Sequence, residues 1–82
     1  MDNQELSALV KNLKTGNTYE IEGGARLQIK GMVFDSAQKV ELITYWIAND
    51  PHRSRDTINQ EQFIVPKDRF IQILHDGDAK LI

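Results

Sequence analysis

The sequence contains no cysteine, so neither a disulfide framework nor a thiolate metal site is available to this chain. It also lacks any apolar run near the roughly 18 residues that a membrane-spanning helix needs. The first residues, Met1 to Glu5, are acidic and polar, whereas a secretion signal has a basic start and an apolar core. We therefore expect a soluble, cytoplasmic protein with no membrane partner.

A basic excess is missing as well, because 10 Lys and Arg residues stand against 12 Asp and Glu residues. Proteins that bind by neutralising nucleic-acid phosphates usually carry a clear basic excess. A protein or small-molecule partner is therefore favoured over nucleic acid. The 82 residues indicate a single domain near the lower size limit for one hydrophobic core, which leaves self-association open as a source of stability.

The first segment predicts an amphipathic helix over residues 2–14. Its apolar residues recur with helical spacing, as Leu6, Leu9, Val10 and Leu13. Asp2, followed three residues later by Glu5, is typical of a capping box, and both acids suit the positive end of the helix dipole. Gly16 is expected to supply the left-handed residue that stops the helix.

After Gly16 the apolar residues recur at every second position, which predicts β-strands. The predicted strands cover residues 18–22, 25–34, 39–48, 63–65, 70–74 and 79–82, with one helical turn at 66–69. Turns are expected at 23–24, at 35–38 and at Asp76-Gly77, and Gly31 predicts a bulge. The strand at 39–48 carries large apolar residues on both faces, so burial on both sides is expected, by the barrel and by the helix or a partner. The polar segment 49–61 is expected to be a long loop.

This order of elements resembles an SH3-like small barrel. Gly31 to Asp35, followed by Val40-Glu41-Leu42, resembles the first motif of Sm-like proteins, and residues 63–73 resemble their second motif. The likeness implies a small barrel, RNA binding and a ring oligomer. Lys39 stands where that family has an Asn, and Pro66-Lys67 stands where it has Arg-Gly. The barrel therefore carries over, and the RNA-reading residues do not.

A second resemblance is to small uncharacterised bacterial and phage domains of SH3-like type. It lies in Thr15 to Tyr19, in Ile43-Thr44-Tyr45 and in Val65 to Phe70, and it implies an SH3-like fold without a known activity. We predict an α+β fold that is mostly β, with an N-terminal amphipathic helix and a five- to six-stranded antiparallel SH3-like or Sm-like small barrel. The prediction places one domain over residues 1–82, with the barrel over 17–82.

The 49–61 loop holds several side chains with potential chemistry. It places Ser, His and Asp within seven residues, but neighbours on one loop do not hold the geometry of a catalytic triad, which is built from distant segments of a rigid fold. No enzyme activity and no catalytic residue are therefore predicted. His52, Arg53 and Arg55 are candidates for ligand or partner binding, because arginine suits a phosphate or a carboxylate.

Four more residues complete the candidate binding set. Tyr45 and Trp46 point to opposite faces of one strand, so one is expected in the core and the other is available as an interface anchor. Lys67 and Arg69 lie in the segment that resembles the second Sm-like motif. The stretch from His75 to Asp78 lacks the converging ligands of a metal site, so no metal and no cofactor are expected.

These observations favour a non-catalytic binding or interaction module, of the kind that phages and mobile elements use as accessory proteins. The alternative is an Sm-like RNA-binding protein that forms a ring oligomer. A native mass and an RNA-binding assay separate the two hypotheses, because only the second requires both a ring and affinity for RNA.

Overall fold

The computed structural model describes residues 1–48 and 61–82. The elements follow in the order α1 (Asn3–Lys11), β1 (Thr18–Glu20), β2 (Arg26–Asp35), β3 (Val40–Ala48), β4 (Glu61–Pro66), α2 (Lys67–Asp76) and β5 (Lys80–Leu81). All strand pairs are antiparallel, and the sheet order is β4-β3-β2-β1-β5. The predicted α+β class with a majority of β-structure is confirmed. In the described residues the sheet is open, with β4 and β5 as its edges.

Helix α1 begins as the sequence predicts and ends earlier. The Asp2 side chain accepts a hydrogen bond from the Glu5 amide at 2.8 Å, which satisfies one of the free N–H groups of the first turn. The helix ends at Lys11 rather than at residue 14, and Asn12 is its C-terminal cap. The Asn12 side chain donates to the Ala8 carbonyl at 2.9 Å and so replaces a helical hydrogen bond there. Gly16 has a positive φ of 96°, in the turn that follows.

Strands β2 and β3 form a long hairpin with the predicted bulge. Ile29 pairs with Tyr45 and Gly31 pairs with Thr44, so Lys30 is the additional residue of β2. An additional residue shifts the alternation of side chains by one position. Simple alternation along β2 predicts Leu27, Ile29, Gly31 and Val33 on one face. That prediction is wrong for Val33, which lies on the opposite face because of the additional residue.

Helix α2 replaces the strand predicted at 70–74 and the hairpin predicted at Asp76-Gly77, and both predictions were wrong. The reason is the spacing of Phe70, Ile73, Leu74 and Gly77, which places all four on one face of a helix. Pro66 fixes an extended residue before the first turn. The Gly77 amide closes the last turn by donating to the Ile73 carbonyl at 3.0 Å. The helical turn predicted at 66–69 is the start of this helix.

The hydrophobic core lies between the two helices and one face of the sheet. It consists of the buried residues Tyr19, Leu27, Ile29, Ile43, Tyr45, Phe70, Leu74 and Ala79, with Leu9 of α1 and Leu13, just after α1, packed against them. The described elements bury β3 fully on one side only, because Leu42 and Trp46 on its other face are half-buried. Burial of that second face by a partner stays a prediction. Neither helix of the described ranges has the length and apolar character needed to cross a bilayer.

Candidate functional site

The described elements leave the face of the sheet opposite the helices uncovered. Side chains reach it from β2, β3 and β4, because alternate residues of each strand point away from the core. We call it the outer sheet face, and it comprises Gln28, Lys30, Gly31, Val33, Leu42, Thr44, Trp46, Gln62, Ile64 and Pro66.

One half of the outer sheet face is apolar. Val33 is 61% exposed and Ile64 is 66% exposed, which is high for large aliphatic side chains. Leu42 of β3 lies directly opposite Val33. Ile64 of β4 pairs with Thr44, which is the next residue of β3 on the same face as Leu42. Cross-strand and diagonal neighbours at these positions are close enough for their side chains to touch. The three residues therefore form one continuous apolar patch across β2, β3 and β4.

The other half combines an aromatic ring with a positive charge. The Lys30 ammonium lies 4.0 Å from the centroid of the Trp46 ring, which is a cation–π contact. Alternation along β2 places Lys30 on the outer sheet face, because Gln28 points there and Ile29 points into the core, and the bulge then keeps Gly31 on the same face. Gly31 leaves the surface open next to this pair, since a Cβ atom there would meet nothing within 4 Å.

The structure separates the predicted binding residues. Tyr45 belongs to the core, where its ring stacks on Phe63 at 5.4 Å, and Trp46 lies on the outer sheet face. Lys67 and Arg69 belong to α2, which packs on the other side of the sheet, and the Lys67 ammonium lies 3.5 Å from the Glu41 carboxylate. Trp46 is therefore not brought together with the two cations of α2. His52, Arg53 and Arg55, like most of the predicted loop at 49–61, lie outside the described residues, although residue 61 opens β4.

Both tyrosines titrate above the neutral range. Burial raises the pKa of Tyr19, and a hydrogen bond donated by the Asn17 side chain at 3.2 Å opposes part of that shift. Burial also raises the pKa of Tyr45, against the smaller opposing effect of the Arg69 charge. A phenol with a raised pKa stays protonated at neutral pH and is a poor general base there. These groups act as packing residues.

The raised tyrosine pKa values predict a loss of stability in alkali. The folded state favours the neutral phenol, so this contribution is complete below the ordinary pKa of 10.0 and declines as the pH rises through the folded-state pKa. Urea unfolding at about pH 8 and about pH 11 is the measurement. The Tyr45→Phe variant should lose less stability between these two conditions than the wild-type chain. An equal loss in both proteins contradicts the assignment.

Acidic and histidine side chains do not converge in the described ranges, where no group of three or more could hold a metal ion. His75 and Asp76 are neighbours at the end of α2, with 3.4 Å between Nδ1 and Oδ1, and both are exposed. Hydrogen bonds from Gln72 and His75 hold the pKa of Asp76 below its usual value. This contact stabilises the charged carboxylate at the C-terminal end of the helix.

Sequence reasoning identified Trp46 and missed Lys30, Val33 and Ile64 as members of one surface. The signal for Val33 was present, because the bulge at Gly31 was predicted and implies a change of face for every later residue of β2. Ile64 gave no comparable signal, since its strand was predicted without a pairing partner. No family model, no curated protein and no solved structure matches the chain.

Proposed function

We propose that this chain is a non-catalytic binding module that contacts a partner protein through the outer sheet face. The observation that carries the proposal is the exposure of Val33 and Ile64, at 61% and 66%, on a sheet face that no described element covers. Contiguous apolar side chains on a protein surface often mark an interaction site. The polar residues Gln28 and Gln62 beside Trp46 supply the polar rim that such sites commonly have.

The size of the patch indicates an interface of moderate affinity. Burying the exposed parts of Val33 and Ile64 contributes about 1–2 kcal/mol each, in proportion to the gain for a fully buried aliphatic side chain. Tryptophan is enriched among the residues that dominate interfaces, where truncation costs about 2 kcal/mol or more, so Trp46 is the expected anchor. Association also loses translational and rotational freedom, which offsets much of this gain.

The proposal does not depend on closure of the sheet into a barrel. An SH3-like or Sm-like barrel stays a prediction, and α2 occupies the segment for which its fifth strand was predicted. An exposed sheet face binds a partner equally well in an open sheet or in a barrel. A role as a phage or mobile-element accessory protein is proposed from the sequence resemblance alone, and the exposed sheet face adds no support to it.

The first test is the substitution Ile64→Lys. A lysine at this position keeps its charge in water but places it inside the contact surface, so we expect binding to be reduced by tenfold or more, or about 1.4 kcal/mol. The full-length chain serves as bait in extracts of the source cells, and the proteins retained are compared between variants. Folding is checked by thermal melting, and lysine is well tolerated on an exposed edge strand.

The matched control is Ala8→Lys, which adds the same charge at an exposed position of α1 on the other side of the sheet. A protein retained by the wild-type chain and by Ala8→Lys but lost with Ile64→Lys supports the proposal. Loss with both variants indicates a charge effect, and retention by all three places the contact elsewhere; either result contradicts the proposed surface.

The second candidate function is binding of single-stranded RNA, which the contact between Lys30 and Trp46 favours. Proteins that bind single strands combine aromatic rings for base stacking with positive charges for the phosphates. Both features lie side by side on the outer sheet face. The predicted Sm-like ring oligomer belongs to this candidate.

Trp46 is the only tryptophan of the chain, so its fluorescence reports directly on this surface. If RNA binds there, titration with oligo-uridine at low salt should quench the emission, and raising the salt should weaken the effect. Lys30→Gln should lower the affinity, whereas Lys11→Gln on α1 should not. Unchanged emission together with a monomeric mass by light scattering contradicts both the RNA-binding and the ring hypotheses.

A further inference from the structure

We draw no further inference here: the strongest candidate, the shallow depression of about 200 Å³ at the N-terminal end of α2 that Lys39, Glu41 and Lys67 line, carries nothing because only a helix N-terminus and an exposed ion pair point to a ligand there.

Discussion

Replacing Phe70 with alanine should lower the free energy of unfolding by about 3–5 kcal/mol, the usual cost of removing a buried aromatic ring. The Phe70 side chain is fully buried between α2 and the sheet. Its ring centroid lies 6.1 Å from that of Tyr19 and 5.2 Å from that of Tyr45, so its removal breaks two aromatic contacts and leaves a cavity. At about 0.05–0.15 kcal/mol per residue, a domain of this size has little stability beyond such a loss.

The measurement is urea unfolding followed by far-ultraviolet circular dichroism. Phe34→Ala is the matched control, because it makes the same chemical change at a residue that is 64% exposed, and it should alter stability by about 0.5 kcal/mol or less. If Phe70→Ala does not fold, Phe70→Leu provides a milder change with an expected cost of about 1–2 kcal/mol. Equal effects at Phe34 and Phe70 would show that α2 does not pack on the sheet as described.

Gly77→Ala should destabilise the protein by about 1–3 kcal/mol through overpacking. A Cβ atom at Gly77 would lie 2.8 Å from Cβ and 2.9 Å from Cγ2 of Ile21, and rotation of the Ile21 side chain does not move its Cβ atom away. A backbone hydrogen bond holds these two segments at this distance, because the Glu22 amide donates to the Gly77 carbonyl at 2.8 Å. The glycine at the end of α2 is therefore required by close packing against Ile21, just after β1, and not by a left-handed conformation.

Gly31→Ala is the matched control for this substitution. It makes the same change where a Cβ atom would meet nothing within 4 Å and where φ is not positive. We expect its stability to equal that of the wild type or to exceed it slightly, because alanine lowers the conformational entropy of the unfolded chain. Thermal unfolding of the two variants under one condition makes the comparison. A neutral Gly77→Ala variant would refute the close contact with Ile21.

Local rules accounted for the start of α1, the bulge and the turns at 23–24 and 35–38. The Asp2 cap, the turn at 35–38, where the Asp35 side chain accepts from the Ala37 and Gln38 amides, and the bulge beside Gly31 depend on residues close in sequence. Such interactions form with few demands on the rest of the fold, so the sequence specifies them directly. The two faces of β3 were assigned correctly for the same reason, since alternation is a property of the strand itself.

The secondary structure of the segment from Phe70 to Leu74 was harder to predict, because a short apolar run fits either a strand or a buried helix. What decides between them is the fit to the core: as a helix, the segment covers Tyr19 and Tyr45 with Phe70 and Leu74. This choice also explains the candidate site. Because Lys67 and Arg69 belong to α2, they do not lie on the face of Trp46. Both helices cover the other face of the sheet, so the face of Trp46 is left exposed.

The positive charge of the outer sheet face depends on Lys30, the additional residue of β2 that has no pairing partner on β3. Removing that single codon would leave Ile29 paired with Tyr45 and Gly31 paired with Thr44 in simple alternation, so that Met32 and Val33 would keep their present sides and the lysine above Trp46 would be lost. This deletion would thus remove the positive charge beside Trp46 and leave Val33 in place on the outer sheet face. Related chains are therefore best compared by the presence of this insertion before they are compared by the identity of single side chains.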